Sequence, residues 1–351
     1  MSSRTRMSST AATLLALVAL VVTPASAAEV VLRFGSINTE NTAPYDQVLV
    51  PFAKAVEEES EGRIEVALKP LGGYGKPAEL FTMVEKGAIE MAATVQGYHP
   101  GRFPQSSVME LPFMFENSIA GTSAMMSLYK EGLLDKDYAS VKVLGLYVLP
   151  PYPIFTTGKK VQSVKDFRGL RMRAPSTTVG VALSKLGAVP LGIPLNMIGD
   201  TIASGYVDAI AYGWDSTTTT KGTAGKVLAD QLKVVIDARL AAPALMIVMN
   251  RAAWDAMPPD LRKIVEKHAS DLAMGSARIR EAQEAVSKKK LQNDPRFTAL
   301  AFNDQQRAEI QAVTAPAVTE WKANMAKLGI DGERLYKRAR ELIQQYKVAT
   351  K

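Results

Sequence analysis

The forty residues from Gly169 to Asp208, GLRMRAPSTTVGVALSKLGAVPLGIPLNMIGDTIASGYVD, constrain the fold more than any other part of this chain. A short strand carries Arg173, Pro175 and Ser176 stop it, and a helix of small residues follows. A turn built on Gly192 and Pro194 leads to a second helix ending at Gly205, then to an apolar strand carrying Asp208. This strand–helix–strand layout predicts an α/β fold with a permanently charged guanidinium at the carboxyl end of a strand. Open α/β sheets hold small ligands at that edge. An arginine fork there matches a carboxylate, because two parallel N–H···O bonds fix its position and its plane. The passage points to a binder of small organic acids. Spacing alone leaves equally open a solvent-facing arginine at a strand end.

The ends and the composition remove most other classes. MSSRTRMSST is basic and polar, Ala11 to Val22 is apolar, and Ala25-Ser26-Ala27 is a small-x-small site. Residues 1–27 therefore read as a secretory signal peptide, with Ala28 or Glu29 opening the mature chain and the periplasm as destination. The competing reading is a membrane anchor, but a spanning helix needs about 20 apolar residues and Pro24 interrupts this shorter run. No stable membrane insertion is expected. The chain has no cysteine, which excludes disulfides, a lipid-modified cysteine, thiolate chemistry and cysteine metal sites. Its 2 histidines, His99 and His268, make a histidine metal site implausible, so neither metal nor cofactor is expected. His268 lies on a charged helix and reads as solvated; His99, in QGYHPGRFP, is left open as a cleft residue. The formal charge is +7, two of it from Arg4 and Arg6 in the leader. No lysine–arginine block interleaves with aromatics, so nucleic acid is not an expected partner.

Along the chain, Val30 to Phe34 predicts a strand, Ala43 to Glu61 a helix closed by Gly62, and Arg63 to Leu68 a half-buried strand. The loop Gly72 to Gly75 precedes a helix from Pro77 that stops at Gly87, followed by a strand over Ile89 to Val95. VEKGAIEMAA (Val84 to Ala93) is echoed by IASGYVDAIA (Ile202 to Ala211), their glycines 118 positions apart, which suggests two similar lobes or a coincidence of a common unit. Val141 to Tyr147 and Ile154 to Thr157 are strands with a crossover near Pro150. Leu232 to Ile236 and Ala244 to Asn250 carry the return, and Thr217 to Thr220 reads as an exposed loop. Pro258 and Pro259 open one long helix running to Gln292, and two further helices cover Gln305 to Lys327 and Gly332 to Tyr346. Expected boundaries are 28–150 plus about 240–258 for lobe I, 151–239 for lobe II, and 259–351 for a long bracing helix and C-terminal helices packing on both lobes.

Taken in order, GRIEVALKPLG, KPAELFTMVEKGAIEMAA, ELPFMFEN, VKDFRGLRMRAPS, LGAVPLGIPLNMIGDTIASGYVDA and MPPDLRKIV resemble the solute-binding proteins of TRAP (tripartite ATP-independent periplasmic) transporters, dicarboxylate-binding type. The resemblance spans the mature chain. It implies a two-lobed periplasmic binding fold with a ligand cleft between lobes, a long bracing helix, a small carboxylate ligand, and delivery to TRAP permease membrane subunits. Arg173 matches the carboxylate-clamping arginine in the Lys/Arg-x-Arg-x-Pro pattern; Arg168 and Arg171 are expected to face solvent.

Departures bear on the ligand. Ala211 stands where metal-assisted 2-oxo-acid binders have a carboxylate, Tyr212 where relatives have Asn or Trp, and Leu195 where a cleft aromatic is frequent. Tyr98, Tyr152, Tyr212 and Trp214 are expected to line the cleft with rings bearing polar tips. Asn38, Glu40, Asn41, Tyr74, Gln96 and Ser176 complete the candidate wall. The bland alternatives are helix caps for Asn38 and Asn41, an edge cover for Tyr74, and backbone bonding for Asp215. The pattern suits an aromatic or other monocarboxylate as readily as a C4 dicarboxylate. No nucleophile–base order or paired-carboxylate motif supports an enzyme.

Overall fold

The computed structural model describes residues 28–215 and 222–349. The expected leader over 1–27 and the loop Thr217 to Thr220 lie outside them. Among the described residues eleven strands build two mixed sheets. In the first, the order is β2 (Ile64–Lys69), β1 (Val30–Ser36), β3 (Met91–Val95), β10 (Ala244–Asn250), β4 (Val141–Val148); in the second, it is β11 (Thr298–Ala301), β9 (Val234–Asp237), β5 (Ile154–Thr156), β8 (Ala209–Ala211), β6 (Arg171–Ala174), β7 (Val189–Gly192). β1 runs parallel to β2 and β3, and β10 is antiparallel to β3 and β4. The second sheet repeats the scheme: β6 runs parallel to β7 and β8, and β5 is antiparallel to β8 and β9.

The sequence echo is thus a structural one. The helices Leu80–Glu85 and Ile198–Ala203 each end before a glycine with positive φ, Gly87 at +70° and Gly205 at +67°. A residue with no Cβ enters that conformation without strain and closes the helix. The following strands, β3 and β8, are fully buried in their sheets.

Strands covered on both faces need apolar side chains in both directions. β10, reading ALMIVMN, is buried at every position. On β5, β8 and β9 the two-residue alternation divides the second lobe's core: Ile154, Ala209, Val234 and Ile236 enter one cluster, Phe155, Ile210 and Val235 the other. Two of the segments that pass between the lobes, Leu149–Pro153 and residues 238–243, are hydrogen-bonded to each other through Tyr152 N–Ala241 O at 2.9 Å and Leu149 N–Pro243 O at 3.3 Å.

Two expectations are corrected. The helix after Pro258 is not continuous: it comprises Pro259–Ala269 and Leu272–Gln292. The break falls at Ser270 and Asp271, where the Ser270 hydroxyl bonds the Lys267 carbonyl at 2.6 Å. Only the second segment reaches both lobes, with Leu272 and Ala273 in the first core and Leu291 in the second. Likewise the first helix opens with a wide π turn over Tyr45–Leu49 before Val50–Glu59. Pro51 lacks the N–H that a regular ladder requires.

Candidate functional site

The carboxyl ends of β1, β3, β4, β6 and β8 converge on one cavity of about 250 Å³ between the lobes. Its wall takes Asn38 and Thr42 from the chain after β1, Tyr98 from after β3, Tyr152 from the crossover, Arg173 from β6 and Tyr212 from after β8. The Leu272–Gln292 helix adds Arg280 and Glu284, and Asp215 lies beside them.

Arg173 sits on a strand whose neighbours hold it still. It is 2 % exposed, its Nε donates to the Ile193 carbonyl at 3.0 Å and Nη1 to the Ala211 carbonyl at 2.8 Å. Both acceptors are backbone groups, which orient the guanidinium but carry no full negative charge. None of the ion pairs among the described residues includes it. A buried cation without a counter-charge is costly, and this one lines the cavity, its guanidinium carbon 5.6 Å from the Tyr212 ring centre. Arg171, two positions earlier at the start of β6, is exposed and paired with Asp208 at 2.9 Å; Arg168 is also exposed.

The aromatic wall is a cluster. The Tyr152 and Tyr212 rings meet edge to face, centroids 6.3 Å apart. Burial raises the pKa of Tyr98 and, further, of Tyr152, so both phenols keep their protons at neutral pH. Tyr98 belongs to the first lobe, yet its hydroxyl accepts the Leu195 amide of the second at 3.1 Å. Close by, the lobes touch through backbone: a Cβ on Gly97 would overlap Ser176 Cβ and the Pro175 carbonyl.

Arg280 was not singled out in the sequence. From the bracing helix its Nη1 reaches Asp215 Oδ2 at 2.9 Å and its Nη2 reaches Asn38 Oδ1 at 2.7 Å, tying second lobe, brace and first lobe together. Burial opposes its charge, but the Asp215 carboxylate outweighs that and its pKa is raised. Asp215 therefore pairs with the Arg280 side chain. The signal for Arg280 and Glu284 lay in helix phase. They are four apart on the face that also carries Ser276, Ala277, Ser287 and Leu291, all buried.

Of the residues expected to line the cleft, the cavity brings together Arg173, Tyr212, Tyr98, Tyr152 and Asn38. Six others lie elsewhere. Glu40 and Asn41 are exposed in a turn, where Asn41 has φ +60°. The Tyr74 hydroxyl is spent on the Ala67 carbonyl at 2.8 Å at the lobe edge. Trp214 is wholly enclosed against Phe155, its ring oriented by the core rather than the cleft. Gln96 and Ser176 line a different cavity of about 310 Å³ alongside His99, Glu110 and Trp321. The charged groups of that second cavity, Glu110 and Glu320, are both acids, which does not suit an anion. Gln96 instead bonds the Tyr138 hydroxyl at 2.7 Å, and Ser176 caps the helix Thr177–Lys185 through the Val179 amide at 3.2 Å. Among the described residues no cluster of three or more His, Asp or Glu side chains could hold a metal ion, and no helix is long and apolar enough to cross a membrane.

Comparison with known proteins follows the same lines. The family described as bacterial extracellular solute-binding protein, family 7, matches residues 34–324. A TRAP solute-binding protein from Rhodoferax ferrireducens T118, solved in complex with copurified benzoate, is 28% identical with a TM-score of 0.84, covering 92% of this chain and 99% of its own. A marine metagenome TRAP solute-binding protein specific for aromatic acid ligands, solved with 3-hydroxybenzoate, is 26% identical with a TM-score of 0.82, covering 91% and 99%. The C4-dicarboxylate-binding periplasmic protein DctP of Rhodobacter capsulatus is 25% identical over 85% of this chain and 88% of its own.

Proposed function

Because this chain belongs to family 7 of the bacterial extracellular solute-binding proteins and is a solute receptor of the TRAP type, we propose that its cavity binds one aromatic monocarboxylate. In this reading Arg173 clamps the carboxylate, and Tyr98, Tyr152 and Tyr212 enclose the ring. The observation that carries it is the count of uncompensated charge: Arg173 has no acidic partner, whereas Arg280 is already neutralised by Asp215 at 2.9 Å. One available cation fits one carboxylate. A second carboxylate would find no second uncommitted cation among the described residues that line the cavity. The benzoate and hydroxybenzoate complexes of the two relatives above support the same class.

The mechanism follows from the geometry. A charge-assisted hydrogen bond contributes roughly 1.5–3 kcal/mol net, while micromolar affinity requires about 8 kcal/mol, so the clamp cannot supply the affinity alone. The lobes, bounded at 28–150 with about 240–258 and at 151–239, close about the paired crossovers and add water exclusion and ring packing. The clamp decides which guests are accepted, since a neutral guest leaves the guanidinium buried and unpaired. The ligand is then released, unchanged, to the membrane subunits of a TRAP permease. The leader expected over residues 1–27 supports the periplasm as the place of this work.

A thermal-shift and calorimetric screen tests the reading. Benzoate, hydroxybenzoates and mandelate are expected to raise the melting midpoint with concentration, and succinate and a sugar acid to leave it unmoved. A response to succinate alone overturns the proposal.

A further inference from the structure

Resting on that reading, we infer that Glu284 is the specificity residue of the cavity: its carboxyl group exchanges hydrogen bonds with a hydroxyl substituent on the aromatic acid that Arg173 holds. Glu284 lines the same cavity as Arg173 and is 7 % exposed. Among the described residues none forms a hydrogen bond or ion pair with its carboxyl group. A polar group this buried is ordinarily satisfied, and this one faces the cavity that Arg173 also lines.

Its surroundings decide its charge. Glu281 stands one turn back on the same helix, with Asp215 and Asp237 facing it from the second lobe. The cations at hand are spent: Arg280 on Asp215 at 2.9 Å, Lys288 and Arg239 on Asp237 at 2.6 and 3.2 Å. Burial, then the charges of Glu281 and Asp215, push the Glu284 carboxyl up to about 9. At neutral pH it is therefore an acid, with an O–H to donate and a carbonyl oxygen to accept. That combination complements a hydroxyl group, which also donates once and accepts. It does not complement a bare ring edge, and it would not repel a monocarboxylate held elsewhere in the cavity. A buried polar group that its ligand fails to satisfy discriminates strongly against that ligand.

The test is a set of affinity ratios measured by calorimetry on the full mature chain at pH 7. The pairs are 3-hydroxybenzoate and 4-hydroxybenzoate against benzoate, and mandelate against phenylacetate. At least one hydroxylated acid is expected to bind about tenfold or more tightly than its parent, the scale of one good hydrogen bond in an enclosed site. Glu284→Met is expected to bring that ratio to within about twofold, and Glu284→Gln, which still donates and accepts, to keep most of the preference. Should Glu284→Met not fold, as judged by its melting curve, Glu284→Ser takes its place with the same expectation. A preference that survives loss of the carboxyl overturns the inference. Equal wild-type affinities within every pair overturn the inference and leave the aromatic-acid reading standing. Failure of all these acids to bind overturns both.

Discussion

Arg173 and Arg280 reach one cavity from different elements, and they differ in what they have been given. Arg173 comes from a strand end and is met by two backbone carbonyls; Arg280 comes from the bracing helix and is met by a carboxylate and an amide oxygen. Burial is similar in kind, with the Arg280 side chain 16% exposed and Arg173 2 % exposed. The distinction is electrostatic. A guanidinium paired within the protein is part of the scaffold, joining both lobes to the brace. One left without a counter-charge and facing a cavity is, in the function proposed above, completed by a guest. Counting which buried charges are already satisfied locates the recognition element better than counting charges.

The comparison can be broken most forcefully at Arg280. Arg280→Met leaves Asp215 partly buried beside Glu284 without its cation, and is expected to cost about 3 kcal/mol of stability, the scale for breaking a buried pair. Urea unfolding measures it, and Asp215→Leu in the same chain should restore a large part. If Arg280→Met is as stable as wild type, the pair is not scaffold and the contrast fails.

Arg173→Met should do the opposite. Carboxylate affinity falls roughly 100-fold or more, since a charge-assisted bond and its orientation are lost. The melting midpoint should shift little, because the buried cation removed had no ionic partner. Calorimetry on benzoate and a melting curve of the same sample separate these outcomes; retained affinity would falsify the clamp.

A smaller effect is expected at the contact that closes the cavity. Gly97→Ala places a methyl group against Ser176 and the Pro175 carbonyl, both firmly held by the helix they begin. The closed state loses part of its population, and affinity falls about tenfold with the unliganded chain nearly as stable, since a conformational penalty enters the apparent dissociation constant directly. Small-angle scattering with and without ligand should show a less compact liganded form. A compaction equal to wild type would remove Gly97 from the mechanism.

The mildest effect is on pH. Burial raises Glu284 to about 9, Glu110 to about 7 and Asp137 to about 6. These acids hold a proton in the native state that the unfolded chain releases near 4.5 for Glu and 3.8 for Asp, so the native state binds more protons and stability falls as pH rises. Asp137 ceases to contribute above about 6, Glu110 above about 7, and Glu284 continues to about 9. His99 acts on the acid side. Burial lowers it to about 4, so the unfolded chain takes up a proton first, and its share of stability is lost as pH falls from about 6.5 to 4. Between pH 7 and 9 the decline belongs to Glu284, at most about 1.4 kcal/mol per pH unit for one proton, and Glu284→Gln should flatten it. An unchanged slope in that variant would assign the decline elsewhere.

Much was legible in the chain because it was written locally. Strand, turn and helix succeed one another within a few residues, so β6 with Arg173, its Pro-Ser stop and the helix capped by Ser176 could be read directly. The echo at Gly87 and Gly205 was legible for the same reason: a positive-φ helix stop followed by an apolar strand is a short-range pattern, and it recurs at equivalent places in both sheets. The break at Ser270 was not, since no glycine or proline marks it in the run Ala269-Ser270-Asp271-Leu272.

What lines the cavity was decided by convergence. Arg280 and Arg278 differ by two positions in a run of charges, and only docking of the helix sends one inward and leaves the other half-exposed on Asp271 at 2.5 Å. Tyr74 and Tyr98 are both loop tyrosines near strand ends, yet one hydroxyl closes on its own lobe and the other crosses to the facing one. Local sequence determines backbone conformation because the competing terms act over one or two turns. Which side chains meet depends on the register of elements tens to hundreds of residues apart, and on which charges find partners first. The chain by itself determined two α/β lobes and a strand-end arginine; the tertiary structure decided that this arginine is buried at the cavity without an acidic partner.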